Sequence, residues 1–335
     1  MAQIAVIGAG AWGTALSLVL ARNNAHQVRL WAFEKEVCES IASRRVNELF
    51  LPGYCLPDQV CVTNHLGEAI KDAEIIVSVM PSHHCRAVFK QIATGGAFSN
   101  NAAIVSATKG VEEGSLLRMT QVIAEILDGK QNAIAALSGP SFAKEVARGD
   151  PTAVTVASSN SDLAAQVQRD FSDSRLRIYT TDDVVGVELG GSLKNIIAIA
   201  AGVCDGLGLG HNTIAALITR GLTEITRLAV ACGAKRETLA GLAGMGDLVL
   251  TCTGGLSRNR SVGVELGKGR KLPEIIAGMH GMVAEGVHTT NAAIGLAQKH
   301  KIEMPITEQM HAILHQSRPP REAIHALMTR PGKVE

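Results

Sequence analysis

The sequence predicts an α/β fold: a largely parallel sheet built from alternating strands and helices, followed by a helix-rich second part. Three observations carry this. A glycine pattern divides a short apolar run from a helical one at the start, in "IAVIGAGAWGTALSLVLARN" over 4 to 23. Strand-like runs then alternate with helical segments as far as "LRIYTTDDVVG", and beyond about residue 180 long, glycine-punctuated helical stretches take over. The expected domains are 1–183 and 184–335.

The first element ends at Gly8, and a helix carrying Leu16 and Leu20 follows. In the Gly8–Ala9–Gly10–Ala11–Trp12–Gly13 turn, Gly8 permits the bend, Gly10 leaves room for a pyrophosphate, and Gly13 lets helix and sheet approach. Free amides and the helix dipole favour phosphate at the helix start, which makes this a candidate dinucleotide site, with an ordinary tight turn as the competing reading. The second strand, "QVRLWAFEK" over 27 to 35, delivers Glu34 twenty-one residues after Gly13, where a carboxylate accepts hydrogen bonds from an adenosine ribose. A solvated strand end is the competing reading. Glu34 favours NAD; a 2′-phosphate asks for a cation, and Arg29 lies mid-strand while Lys35 is late.

Further strands are read in "AEIIVSVM", closed by Pro81 with a helix from Ser82, and in "AAIVSATKG", "NAIAALSG" and "PTAVTVASSN". Two of these end in chemistry. "VSATKG" delivers Lys109 where its strand gives way to a loop, the edge of an open sheet at which ligands bind, although such a lysine also simply marks the return to solvent. After Gly139 and Pro140 the next helix is expected to start at Ser141, whose hydroxyl would cap it or meet a ligand.

With 335 residues, 46% hydrophobic and 19% charged, the chain has ample material for one large core or two moderate ones. The formal charge of +1 and the brevity of "GKGRK" argue against a nucleic-acid partner. "MAQIAVIGAG" has no basic leader, and Lys194 and Asn195 break the longest apolar stretch, so a cytoplasmic protein without stable membrane insertion is expected. Seven cysteines, an odd number with no CxxC pair, fit reduced thiols rather than a disulfide framework or zinc site. His311 and His315 share a helical face without a convincing third ligand, so no metal is expected.

In "GVELGGSLKNIIAIAAGVCDG", 186 to 206, Lys194 interrupts an apolar helix among small neighbours; it either snorkels to solvent or is held for chemistry. Asp247 leads into a glycine-rich segment bearing Ser257, Arg258, Asn259 and Arg260, types that grip a phosphate, or alternatively a solvated turn. Cys252 has no histidine or acid close enough in sequence to suggest a thiol nucleophile.

Seven spaced segments, "GAGAWGTAL", "ATKG", "LSGPSFAKEV", "VELGGSLKNIIAIAAG", "GLAGMGDLVLTCTGGLSRNRSVG", "VAEGVHTT" and "MPITEQM", make the chain resemble the bacterial NAD(P)-dependent glycerol-3-phosphate dehydrogenases from residue 4 to about 328. The resemblance implies a Rossmann-like N-terminal domain, an all-helical C-terminal domain and a homodimer. It also implies reversible hydride transfer between C2 of glycerol 3-phosphate and NAD or NADP, reducing dihydroxyacetone phosphate for phospholipid synthesis. Residue by residue it places Trp12 and Phe33 beside the dinucleotide, Lys109 at substrate and cofactor, Gly139 and Ser141 near substrate, and Ala143 near cofactor. Lys194 takes the acid/base position, Asp247 the acid of the catalytic pocket, and Ser257, Arg258 and Asn259 the substrate phosphate; Arg258, Val283 and Glu285 contribute to the cofactor.

Phe33 departs from relatives that carry Arg or His there, which weakens the expectation of NADP use. An ordinary lysine, with a pKa near ~10.4, is a poor base at neutral pH. Burial and a second cation lower it, and Asp247 opposes them. A related β-hydroxyacid dehydrogenase shares the glycines and the Lys-Asn pair but has no need of "SRNR". A methyltransferase shares the turn but not the two lysines, and a dinucleotide sensor would bind without turnover.

Overall fold

The structure, a computed structural model, describes residues 2–22, 26–128, 132–279 and 282–332. Its contacts divide the chain into two compact units, one of residues 1–109 and 117–188 and the other of residues 110–116 and 189–335.

The first unit is an open sheet. Its strands are β1 (Ala2–Ile7), β2 (His26–Trp31), β3 (Val46–Asn47), β4 (Leu51–Cys55), β5 (Val60–Thr63), β6 (Ile75–Ser78), β7 (Ala103–Ser106), β8 (Ile134–Ser138), β9 (Thr152–Ala157) and β10 (Leu176–Thr181). β3 and β4 form a separate antiparallel pair, and the other eight run in the order β10-β9-β8-β7-β6-β1-β2-β5. β8 and β9 pair antiparallel, while the remaining neighbours in this sheet are parallel. The order reverses between β6 and β1, and all strands from β5 to β8 share a direction. Their carboxyl ends therefore lie on one edge, which is where an open sheet of this kind receives a ligand.

Helices cover both faces, as near-continuous apolar strands demand. α1 (Ala11–Arg22), α2 (Lys35–Arg44), α6 (Ala143–Arg148) and α7 (Ser161–Phe171) contribute to a core around Leu16, Leu30, Val154 and Phe171. On the opposite face α3 (Leu66–Ile70), α4 (Cys85–Thr94) and α5 (Met119–Ile126) pack around Ile7, Ile76, Phe89 and Ile123. Two expected boundaries shift. β2 stops at Trp31 rather than running to Lys35. α6 begins at Ala143 with Phe142 as its cap, and Ser141 instead turns its hydroxyl back to the Gly139 carbonyl at 3.0 Å, a local bond that competes with capping.

The second unit is helical. α8 (Val184–Gly206) leads into it, followed by α9 (His211–Ala231), α10 (Arg236–Ala240), a π-helical turn over Leu242–Gly246, α11 (Asp247–Thr253), α12 (Arg258–Gly267), α13 (Leu272–Ala277), α14 (Glu285–His300), α15 (Pro305–Gln316) and α16 (Pro320–Met328). α8 is long and apolar enough by length and composition to cross a membrane, yet 89% of its most apolar window is buried inside the protein. Its first turns are anchored by Glu188, whose carboxylate accepts hydrogen bonds from the Thr120 amide at 2.8 Å, the Thr120 hydroxyl at 2.6 Å and the Arg118 guanidinium.

Farther along, α8 meets α12 through glycine. A Cβ at Gly202 would lie 2.0 Å from the Arg260 carbonyl oxygen, and one at Gly263 would lie 2.0 Å from that of Ile199. Gly206 and Gly267 repeat the contact one turn on. Small residues four apart on both helices thus let the backbones touch, which fixes the register of Lys194 on α8 against Arg258 at the start of α12.

Candidate active site

In the first unit the expected residues gather at the carboxyl ends of β1, β2, β7 and β8. Gly8 has φ +123°, and a Cβ there would meet the Val79 carbonyl oxygen at 2.6 Å; a Cβ on Gly13 would meet that of Gly8 at 1.9 Å. No side chain fits either position. Beside Gly10, by contrast, a Cβ would find nothing within 4 Å. Among the described residues, the amides of Gly10, Ala11 and Trp12 donate to no backbone carbonyl. Open space in front of unspent amides at the start of a twelve-residue helix suits a pyrophosphate, so the donor set fits a dinucleotide.

Phe33 projects from the end of β2 with 77% of its surface exposed and stands edge-on to Trp31, their ring centroids 6.0 Å apart. Glu34 is half-buried and immediately precedes α2 without capping it. Neither neighbouring cation is aimed at this end of the strand. Arg29 donates to the carbonyls of Glu68, at 3.3 Å, and Lys71, while the exposed Lys35 pairs with Glu39 at 3.6 Å.

Lys109 lies three residues beyond β7, and its ammonium donates to the Gly139 carbonyl at 3.2 Å, the same oxygen that receives the Ser141 hydroxyl. Gly139 has φ +147° and a Cβ there would strike Val154, so this acceptor sits on a backbone that only glycine tolerates. Lys109, Gly139 and Ser141 form one polar group, with Ala143 opening the adjoining helix.

In the second unit the Lys194 side chain, 7% exposed, donates to the Asp247 carboxylate and to the Thr251 hydroxyl oxygen, both at 2.6 Å. Thr251 in turn donates to the Asp247 carbonyl one helical turn back, at 2.6 Å, so its lone pair faces the lysine. Lys194 is therefore held rather than snorkelling. Thr251 was not singled out in the sequence, although its i+4 spacing from Asp247 puts both on one face of α11. Cys252 beside them is inert: burial pushes its thiol up to about 12, with Lys194 and Arg260 opposing and Asp247 adding.

The "SRNR" segment is not a loop. Ser257 is the N-cap of α12, its hydroxyl accepting from the Arg260 amide at 3.2 Å, and Arg258 and Asn259 form the first turn, whose amides have no intrahelical acceptor. Arg258 is solvent-accessible, while the protein around it lowers its pKa from the ordinary arginine value and Glu285 opposes that effect. Accessibility governs its chemistry, since a guanidinium stays charged throughout the working pH range. Asn259 is buried and its amide group is committed: it donates to Asn195 Oδ1 at 3.0 Å and accepts from the Gly286 amide at 2.9 Å. The sequence marks Asn195 only as the second half of the Lys-Asn pair, with no partner of its own. This chain of amides ties α8, α12 and the start of α14, where Val283 and Glu285 sit half-buried. Arg260 pairs outward with Asp205 at 2.8 Å. Among the described residues no cluster of three or more His, Cys, Asp or Glu could hold a metal ion.

A glycine turn suited to a dinucleotide in one unit, and a buried lysine–aspartate pair beside an accessible arginine in the other, define a dinucleotide-dependent oxidoreductase of the α/β-plus-helical class. Two family models match in the same order: the N-terminal part of NAD-dependent glycerol-3-phosphate dehydrogenase over residues 3–164 and its C-terminal part over 183–325. The chain belongs to the NAD(P)-dependent glycerol-3-phosphate dehydrogenase family. It is 65% identical to the glycerol-3-phosphate dehydrogenase (NAD(P)+) of Koribacter versatilis over 100% of this chain and 99% of that one. The corresponding enzyme of Acidobacterium capsulatum is 57% identical over 100% of both chains. The crystal structure of glycerol-3-phosphate dehydrogenase from Coxiella burnetii superposes with a TM-score of 0.93 at 43% identity, covering 98% of this chain and 99% of that one.

Proposed function

We propose that this glycerol-3-phosphate dehydrogenase works chiefly in the reductive direction, converting dihydroxyacetone phosphate to glycerol 3-phosphate for phospholipid synthesis. The observation that carries the reading is the Lys194 ammonium, buried and fixed by Asp247 and Thr251 at 2.6 Å each. The reading assigns residues 1–183 to the dinucleotide and 184–335 to substrate.

When bound, the nicotinamide would be the hydride donor to C2 in reduction and the hydride acceptor from C2 in oxidation. Lys194 gives its proton to the C2 oxygen as alkoxide charge develops there and takes it back in the oxidative direction. Asp247 keeps the ammonium oriented and offsets its charge, and Thr251 fixes its second N–H. Lys109, steadied on the Gly139 carbonyl, stabilises substrate oxygen charge, with Ser141 beside it. Arg258 grips the substrate phosphate together with the amides at the start of α12, and Ser257 shapes that start. Because its side chain is engaged with Asn195 and Gly286, Asn259 contributes its backbone amide and holds the helix in place. Gly8 through Gly13 and Ala143 hold the pyrophosphate end of the dinucleotide and Phe33 and Glu34 its adenosine; Val283, Glu285 and Arg258 are also assigned to the cofactor. The enzyme acts in the cytoplasm as a homodimer, which sedimentation analysis of the purified protein checks.

Lys194→Ala tests the central claim. Turnover of dihydroxyacetone phosphate with NADH should fall by about 10²–10⁴-fold, the usual worth of a positioned acid, while NADH still binds. Near-normal turnover removes Lys194 from the proton-transfer role.

A further inference from the structure

Asn47 stands outside every functional assignment above, yet it touches the turn on which dinucleotide binding rests. It sits in β3, fully buried, with both its side-chain N–H donors and its side-chain oxygen engaged. Nδ2 donates to the Ala9 carbonyl at 2.7 Å and to the Thr14 hydroxyl at 2.8 Å, and Oδ1 accepts from the Phe50 amide at 3.0 Å. The Phe50 bond closes the turn between β3 and β4, so the asparagine is fixed by its own hairpin before it reaches the glycine turn. Thr14 lies on α1, and its hydroxyl reaches the same Ala9 oxygen at a longer 3.4 Å.

The consequence follows from peptide geometry. A trans peptide is planar, with its N–H antiparallel to its C=O. Pinning the Ala9 carbonyl toward Asn47 therefore aims the N–H of the next residue, Gly10, the opposite way. Gly10 has no Cβ to resist rotation of that peptide, and a Cβ there would find open space. Without an external hold, the glycine on its C-terminal side would leave the Ala9–Gly10 peptide freer to turn over. Flipping it would present a carbonyl oxygen to the phosphate.

We propose that Asn47 is a positioning residue for dinucleotide binding: by holding the Ala9 carbonyl it presents the Gly10 amide to the pyrophosphate. An asparagine is required because the site needs two donors and one acceptor on a planar group. Aspartate has the same shape but places oxygen against the oxygens of Ala9 and Thr14.

The inference rests on the glycine turn holding NAD(P), so the test reads binding directly. NADH affinity is measured by isothermal titration calorimetry on wild type, Asn47→Asp, Asn47→Ser and Thr14→Val, alongside thermal midpoints and the Michaelis constants for both substrates. Asn47→Asp should weaken NADH by about tenfold or more, the worth of a charge-independent bond lost and a repulsion gained, and Asn47→Ser by a smaller factor. The Michaelis constant for dihydroxyacetone phosphate should stay within about twofold, and so should NADH affinity in Thr14→Val, which keeps the Ala9 contact. If Asn47→Asp fails to fold, Asn47→Ser carries the comparison. Unchanged NADH affinity in the folded Asn47 variants overturns the proposal. So does equal weakening of both substrates in proportion to lost thermal stability, which marks Asn47 as a packing residue. Failure of wild type to bind NADH would instead strike the reading of the turn itself.

Discussion

Lys109 and Phe33 show how a single side chain at a strand end acquires a role from its surroundings. The Lys109 ammonium is steadied by the Gly139 carbonyl, so replacing it with methionine removes the charge while keeping most of the length. Lys109→Met should lower kcat/KM for dihydroxyacetone phosphate by about 10²-fold, as loss of an oxyanion donor does, with little change in thermal midpoint. Unchanged efficiency in the folded variant would return Lys109 to an ordinary loop residue. Phe33 offers an aromatic face where a cation would be needed for a 2′-phosphate. Arg29 is spent on the carbonyls of Glu68 and Lys71, and Lys35 faces Glu39. The protein should therefore use NADH well, and Phe33→Arg should raise kcat/KM for NADPH relative to NADH by about tenfold or more through a charge-assisted bond. A strong wild-type preference for NADPH that Phe33→Arg leaves untouched would show that the phosphate finds its cation elsewhere.

Among elements, the α8–α12 crossing links stability to catalysis. Gly263→Ala puts a methyl 2.0 Å from the Ile199 carbonyl oxygen, a backbone atom that cannot swing aside. The helices must separate, at a cost of about 1–3 kcal/mol measurable by urea denaturation. The Michaelis constant for dihydroxyacetone phosphate should rise as well, because Arg258 rides on α12 and Lys194 on α8. Strand–helix alternation and the Gly8 turn were legible in the sequence because apolar periodicity and glycine spacing are local signals. The "SRNR" helix was not, since a serine cap followed by polar residues reads equally well as a loop until packing decides. Nor were Thr251, Asn195 and Asn47 visible as site residues, because each acts through a partner brought close only by tertiary structure.

At the scale of the whole molecule, pH acts through Glu224. This carboxyl on α9 accepts from the amides of Ile306, at 2.6 Å, and Thr307, at 3.2 Å, where α15 begins, and from the Thr307 hydroxyl at 3.3 Å. Burial outweighs those bonds and, with Glu308 adding, raises it from 4.5 to about 7. A carboxyl whose pKa rises on folding holds its proton more tightly in the native state. Its contribution is thus present below about 4.5 and lost as pH climbs through about 7. Over that window the urea midpoint of wild type should decline more steeply than that of Glu224→Gln. Parallel profiles would show that Glu224 is ionised throughout.

α8 also shapes how the protein is made. Its apolar surface is wrapped by segments that lie later in the chain, Gly221 against Ile197, Gly263 against Ile199 and Gly286 against Asn195. On a ribosome moving at roughly 5–20 residues per second, the helix emerges seconds before its last wrapper is synthesised. During that interval a span apolar enough to enter a lipid bilayer stands bare in the nascent chain. Only Glu188, Lys194 and, near its end, Asp205 interrupt its apolar run with charge. The same lysine that serves chemistry in the finished enzyme thus weakens, at birth, the helix's claim on the secretion machinery.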